Sequence, residues 1–282
     1  MNGARRAAVI GHPVAHSRSP ALFAALARSS GITLRYEAVD VHPDALEGVL
    51  ASWRTDSVFV GCNVTIPHKE AALALAGDVQ PAARACGAAN VLTRRGDTLE
   101  ADNTDVAGVE VALAQHGVAL RGARVAILGA GGAARAVAEA ARRNGAARIA
   151  VAARDAARAR ATARDFDAEL CALDAVPAAD VYVNATPIGM QGRPQRSLLP
   201  LDAPQSAAVF DLVYVPEETP FVLDARARGM RAITGTAMFL AQAAATFEIW
   251  FGVRFTPTEM RDALSAFDTL RVTANAAEMT PS

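Results

Sequence analysis

Two features of the 282-residue chain predict an α/β protein of two domains. Short apolar runs alternate with alanine-rich helical stretches along most of its length, the pattern of paired strands with helices between them. One such run, Arg124–Leu128, ends in three glycines within four positions and then opens a helix. That strand–turn–helix order is the mark of a doubly wound sheet. Hydrophobic residues make up 52% of the chain and charged residues 20%. This is enough apolar surface for a core, which excludes a disordered or low-complexity protein.

In the N-terminal half, Ala7–Ile10 reads as a strand and Pro20–Ser30 as a helix started at Ser19-Pro20. Leu34–Val39 is a second strand, Pro43–Trp53 a helix, Val58–Val64 a third strand, and Lys69–Leu75 a helix. Together they predict a largely parallel sheet. A new unit starts after Asp105, with a helix over Val106–Gln115 and the strand Arg124–Leu128. The turn Gly129–Ala134 follows, then a helix to Asn144, a strand over Arg148–Ala153 and a helix over Ala156–Phe166. Val181–Asn184, Val209–Leu212 and Ala232–Ile233 read as further strands, and Gly189–Ser197 as an exposed loop. From Ala237 the chain turns helical, with a second helix over Pro257–Ala266 and a frayed tail after Thr273. No internal repeat is visible.

Charge and cysteine usage exclude several function classes. The formal net charge is −1, so no global basic field exists to hold nucleic acid or an anionic membrane. Cys62, Cys86 and Cys171 lie far apart, with no CxxC metal pattern and no disulfide framework, which fits a reducing cytosol. The apolar run before Gly11 is too short for a signal peptide. The apolar stretch Ala237–Val253 is interrupted by Gln242 and Glu248 and falls short of a membrane span. A soluble cytoplasmic protein is expected. Of the 28 basic residues only Lys69 is a lysine. Where arginine is so favoured, a surviving lysine points to giving and taking a proton, which a guanidinium cannot do. An incidental surface lysine is the plain alternative.

The segment VAILGAGGAAR, residues 125–135, carries the first site. Its glycines let the backbone turn sharply, and Gly131 lets it approach a pyrophosphate at the amino end of the next helix. Ala134 stands at the third glycine position. The second strand of this unit ends in Ala153-Arg154-Asp155, with Arg158 one turn further on. NAD proteins usually place an acidic residue there, whereas two guanidiniums suit the 2′-phosphate of NADP. Asp155 leaves NAD, or a plain charged helix start, open.

In the N-terminal half polar residues gather where strands end. Ser17 and Ser19 lie in HSRSP, Asn63, Thr65 and Lys69 in NVTIPHK, Asn90 in AAN, and Asp102, Asn103 and Asp105 in ADNTD. Neutral hydroxyls and amides suit a small polyol read by hydrogen bonds, and only Lys69 and the aspartates can move a proton. Taken singly, each is as well explained as a turn residue or cap.

In this order GHPVAHSRSP, NVTIPHK, GAANVL, DNTD, GAGGAAR, NATPIGM, DLVY…TPF and GTAMFLAQAAATFEIWFG resemble the shikimate dehydrogenase family, including its quinate/shikimate members. The resemblance runs from Val9 to about Leu264. It implies NADP-linked reversible reduction of 3-dehydroshikimate to shikimate, a step of aromatic amino acid biosynthesis, by a monomer or homodimer without metal. Residues 1–105, completed by C-terminal helices at 237–273, would form the substrate domain, and 106–236 the NADP domain. Ser17 and Ser19 would hold the substrate carboxylate, with Tyr214 near it. Asn63, Thr65, Asn90, Asp105 and Gln242 would bind hydroxyls and ring, and Lys69 with Asp105 would form the catalytic pair. Gly129, Gly131, Gly132 and Ala133 would cradle the pyrophosphate, Arg154 and Arg158 would hold the 2′-phosphate, Leu212 and Gly235 would lie on the nicotinamide side, and Ala130 and Thr186 would also bind the cofactor.

Four departures stand out: Ala153-Arg154-Asp155 for Asn-Arg-Thr, Val106 for Gly, Leu212 for Met, and Phe23 for His. They leave open a paralogue that uses quinate or NAD. A non-catalytic dinucleotide sensor is a third reading, but it would be expected to have lost Lys69 or Asp105.

Overall fold

Ala7, Ala8, Val9 and Ile10 are four apolar residues in a row, as a strand covered on both faces requires. All four are buried in β1 (Arg5–Gly11), which lies second in its sheet. The computed structural model describes residues 4–263 and 265. The chain divides into two units. One holds the residues up to Arg84, Ala89–Thr104 and those from Ala243 on, and the other holds Ala85–Ala88 and Asp105–Gln242.

In the first unit β1 is followed by α1 (Ser19–Ser29), β2 (Leu34–Asp40), α2 (Leu46–Arg54), β3 (Phe59–Val64) and α3 (Lys69–Ala74). Then come β4 (Asp78–Val79), α4 (Pro81–Cys86), β5 (Val91–Arg95) and β6 (Thr98–Asp102). The sheet order is β2-β1-β3-β5-β6-β4. β1 runs parallel to β2 and β3, but β3 with β5 and β5 with β6 are antiparallel. The sheet is therefore mixed, and its hairpin is absent from the sequence pattern. The reason is local: Gly96 takes φ +63° in a two-residue turn with Asp97, a short hairpin signal that the polar motifs on either side conceal.

Ala8, Ile10, Leu50, Trp53, Phe59, Leu92 and Leu99 form one core of this unit. A second cluster is aromatic. Phe23 stacks on Tyr36 at 4.3 Å, and Trp250 lies 5.6 Å from Phe23. The Trp250 indole donates to Thr93 Oγ1 at 3.2 Å. Gly61 in β3 makes room for this packing. A Cβ there would run into the Leu92 carbonyl and stand 2.8 Å from the Trp250 indole nitrogen.

The second unit opens with α5 (Asp105–Gln115) and continues with β7 (Arg124–Leu128), α6 (Gly132–Arg143), β8 (Arg148–Ala152), α7 (Ala156–Asp165) and β9 (Glu169–Cys171). β10 (Val181–Asn184), β11 (Ala208–Asp211), α8 (Pro220–Ala227), β12 (Arg231–Ile233) and α9 (Gly235–Phe251) complete it. The division between units falls at Ala243, inside α9. The sheet order is β12-β11-β10-β7-β8-β9, all parallel, as in a doubly wound domain. β9 and α8 are additions to the sequence pattern. α8 starts where Thr219 caps the amide of Val222 and Pro220 takes the first turn, a start signal present in the sequence.

Residues 257–263 and 265 are helical, whereas residues 264 and 266 of the expected last helix and the tail after Thr273 lie outside the described residues. Among the described residues no helix is long and apolar enough to cross a membrane. The cysteines form no disulfide.

Two glycine substitutions test the packing. Gly61→Ala is expected to cost about 1–3 kcal/mol through overpacking against backbone, read as a lower urea midpoint. Gly48→Ala, in α2 where a Cβ meets nothing within 4 Å, is expected to leave the midpoint unchanged or raise it by about 0.4–1 kcal/mol. Equal midpoints for the two variants would contradict the assigned role of Gly61.

Candidate active site

The loop after β1 carries Ser17 and is pinned from several sides. Val41 N donates to Gly11 O at 3.0 Å, and His12 N to Ile66 O at 3.0 Å. Asp40, at the end of β2, pairs with His12 Nδ1 at 2.6 Å and accepts from Val14 N at 3.3 Å. The His12 bond above all, then the Val14 amide, holds this carboxyl below its ordinary range. Ser17 N donates to Val14 O at 2.9 Å, and Ser17 Oγ accepts from Ser19 N at 3.2 Å. A hydroxyl that accepts this bond still has its hydrogen to give. Ser19 is the buried first residue of α1.

A buried amide–hydroxyl network lies where β3, β5 and β6 meet the later part of α9. Asn63 accepts from Tyr36 Oη at 2.8 Å and donates to Thr246 Oγ1 at 3.2 Å and Asn90 O at 3.4 Å. Asn90 donates to Thr104 Oγ1 at 2.9 Å and accepts from Thr104 N at 2.7 Å. The hydroxyls of Thr104 and Thr246 bond at 3.2 Å. The structure thus brings Asn63 and Asn90 together. Tyr36, Thr104 and Thr246 join them without having been singled out in the sequence. The signal for Thr246 is its place four residues after Gln242, and Thr104 lies inside DNTD. Thr65 directly follows β3, its amide donating to Ile10 O at 2.8 Å. Lys69 is the half-buried first residue of α3, and its carbonyl accepts from Ala89 N at 2.8 Å.

In the second unit Asp105 opens α5 and is buried. Gln242 donates to Phe239 O at 2.9 Å, and Tyr214 stacks on Phe239 at 4.5 Å with the ring planes nearly parallel. A Cβ on Gly108 of α5 would lie 3.2 Å from Gln242 Cβ, so α5 and α9 pass closely here.

The glycine turn behaves as the sequence predicts. Gly129 takes φ +131°, and a Cβ there would stand 2.8 Å from the Ala185 carbonyl. Around Gly131 a Cβ would meet nothing within 4 Å, and this residue is the N-cap of α6 and gives it no side-chain cap. The first-turn amides of α6 therefore face a space that no side chain of their own cap fills. Thr162 Oγ1 of α7 holds the turn by donating to Ala130 O at 3.3 Å. Gly132 and Ala133 start the helix.

At the end of β8, Arg154 and Arg158 are exposed. Asp155 Oδ1 accepts from the amides of Ala157 and Arg158, both at 3.1 Å. It is the N-cap of α7. Across the sheet, Thr186 donates through N and Oγ1 to Asn184 Oδ1, and Leu212 N donates to Asn184 O at 3.0 Å. A Cβ on Gly235 would run into the Val213 carbonyl and stand 2.7 Å from that of Leu212. Among the described residues no group of three or more His, Cys, Asp or Glu could hold a metal ion.

Family models match the chain twice, as a shikimate dehydrogenase substrate binding domain over residues 9–92 and as a shikimate / quinate 5-dehydrogenase over residues 110–189. A shikimate dehydrogenase (NADP(+)) of Methylobacterium radiotolerans is 43% identical over 274 residues, covering 93% of this chain and 96% of its own. The crystal structure of shikimate 5-dehydrogenase from Thermus thermophilus, in complex with NADP(H) and shikimate, is 38% identical with a TM-score of 0.81. It covers 93% of this chain and 99% of its own. Shikimate 5-dehydrogenase from Listeria monocytogenes, solved with shikimate and NAD, is 27% identical with a TM-score of 0.83, covering 94% and 97%. With relatives of this identity along nearly its whole length, and an all-parallel sheet whose glycine turn opens α6, the chain belongs to the shikimate dehydrogenase family.

Proposed function

We propose that this protein is an NADP-dependent shikimate dehydrogenase that reduces 3-dehydroshikimate reversibly to shikimate. The observation that carries the cofactor choice is the state of Asp155. A ribose-reading carboxylate must be open to two hydroxyls, but Oδ1 of this one already accepts from the Ala157 and Arg158 amides in the first turn of α7. Arg154 and Arg158 stand exposed beside it, with the chemistry to grip a 2′-phosphate by charge-assisted bonds. The open space at Gly131 and the uncapped start of α6 fit a pyrophosphate held by Gly129, Ala130, Gly131, Gly132 and Ala133. Thr186, Leu212 and Gly235 would take the nicotinamide side.

NADPH, when bound, supplies the hydride that the substrate ketone carbon takes up. The chain's task is the proton. As the carbonyl oxygen gains charge it needs a donor within hydrogen-bond reach, and an ammonium at Lys69 meets that need. Asp105 would hold the ammonium in place. Ser17 and Ser19 would donate to the carboxylate with neutral hydroxyls, and Tyr214 would lie near it. Asn63, Thr65, Asn90 and Gln242 would read the hydroxyls and ring. Support for this last role comes from the buried amide–hydroxyl network, in which Asn63 and Asn90 are oriented before substrate arrives.

A second reading, a paralogue that uses quinate or NAD, is favoured by the Listeria relative solved with NAD. Steady-state rates with shikimate or quinate against NADP or NAD separate the two, with shikimate and NADP expected to be the best pair. Use of NAD at least as efficiently as NADP would remove the two-arginine clamp. No turnover with any pair, alongside NADP binding, would leave a sensor.

Three substitutions test the roles. Lys69→Ala is expected to lower kcat by about 10²–10⁴-fold, and Lys69→Arg not to restore it, because a guanidinium stays protonated. A kcat within about fivefold of wild type would exclude Lys69 as the general acid, since such a group contributes more than that. Ser17→Ala is expected to raise KM for shikimate by about 5–30-fold, the roughly 1–2 kcal/mol lost with one neutral hydrogen-bond donor. Arg154→Ala is expected to cut kcat/KM for NADP by about 10–150-fold and leave NAD nearly untouched.

A further inference from the structure

We propose that Asp211 is a positioning residue for the nicotinamide end of the cofactor, an ionised carboxylate that clasps the loop after β10 to the loop after β11. This rests on the reading above that Thr186, Leu212 and Gly235 take that end. Asp211 is the last residue of β11 and is fully buried. It sits beside Asn184 in the parallel register of β10 and β11. Asp211 Oδ1 accepts from Asn184 Nδ2 and from Val213 N, both at 2.9 Å, and Oδ2 accepts a short bond from Thr219 Oγ1.

Each partner passes the constraint on. The Asn184 amide, turned by Asp211, presents its oxygen to Thr186 N and Oγ1 and donates to Ile188 O at 3.0 Å. Holding Val213 N fixes the peptide plane that carries the Leu212 carbonyl, and the Leu212 and Val213 carbonyls are the atoms pressed against Gly235. Thr219 anchors the far end of the same loop while capping α8. One carboxylate therefore sets Thr186, Leu212 and the backbone facing Gly235.

The carboxyl is held between two states. Burial pushes it up to about 6, against the lowering bonds from Thr219, Val213 and Asn184. The groups that face it are Asn184 from β10, the Val213 amide from its own loop and Thr219 from the start of α8, and none is charged. Once protonated, one oxygen must donate where it accepted, and the bonds to Asn184 and Val213 lose their charge assistance. A group whose pKa is raised in the fold favours the fold below its ordinary value of 3.8, and that contribution is lost as pH rises through about 6. At neutral pH the ionised clasp is thus kept at a cost to stability. A residue that served stability alone would be better neutral.

The test compares wild type with Asp211→Asn, which keeps the shape and removes the titration. NADPH affinity is read by fluorescence titration at pH 5.5 and pH 8, with shikimate KM at saturating NADP and Tm alongside. At pH 8 the variant is expected to bind NADPH about 3–10-fold more weakly, the difference between a charged and a neutral acceptor. Its shikimate KM should stay near that of wild type, and its Tm should equal or exceed it. At pH 5.5 the gap in affinity should narrow, because the wild-type carboxyl is then mostly protonated. Equal NADPH affinity at both pH values would overturn the proposal. If Asp211→Asn does not fold, Thr219→Val and Thr219→Ser decide: weaker NADPH binding in the first but not the second is expected, and no difference between them overturns it. Wild type that binds no NADPH at either pH would overturn the cofactor reading itself, and the clasp with it.

Discussion

At the carboxyl edge of the second sheet, backbone meets backbone without side chains between. Gly129 lies against the Ala185 carbonyl, and Gly235 against those of Leu212 and Val213. The all-parallel order makes this possible, because β7, β10, β11 and β12 all end on the same side and their following turns converge. Any Cβ at these glycines would push the turns apart. With the side chains gone, main-chain amides and carbonyls line the edge, and the space beside Gly131 stays open. The polar side chains admitted there, Asn184, Asp211 and Thr219, are buried and mutually bonded, as low-dielectric surroundings demand.

The first unit solves a related problem with neutral groups. Asn63, Asn90, Thr104 and Thr246 are buried where strands end and helix α9 packs, and every one of these side chains has partners. Each bond contributes about 0.5–1.5 kcal/mol net, whereas an orphaned partner would cost about 1–3 kcal/mol, so the network is kept whole or not at all. Its aromatic flank supports it. Phe23 stacks on Tyr36, whose hydroxyl orients the Asn63 amide. Residue 23 therefore joins a packing cluster rather than adding a polar group.

Asp155 shows how one side chain's local bonds decide a question that charge alone leaves open. Beside two arginines, a carboxylate can repel a phosphate, accept from a ribose or cap a helix. Capping wins because the first amides of α7 have no other intrahelical partners and lie two and three residues away. A carboxylate so engaged sits on the positive end of its helix, which offsets its charge toward a neighbouring anion.

The sequence by itself determined the second unit's sheet apart from β9, its glycine turn, and the neutral polar side chains Asn63 and Asn90 that the fold brings together. These follow from local rules: apolar runs of strand length, glycines where the backbone must turn, and cap residues before helices. Val91–Arg95 and Thr98–Asp102 were not legible as a hairpin, because Val91, Leu92 and Thr93 are buried in succession between β3 and β6 and so show no alternation. Nor was the company kept by Asn63, since Tyr36 lies 27 residues before it and Thr246 lies 183 after it. Asp211 stands in an apolar strand, and nothing in its neighbours along the chain marks it as a clasp. Only the register of β10 against β11 and the return of Thr219 bring its three donors together. Periodicity and turn chemistry act over a few residues, whereas a buried polar group takes its partners from wherever the fold places a donor. That is why the elements could be read from the chain and the networks could not.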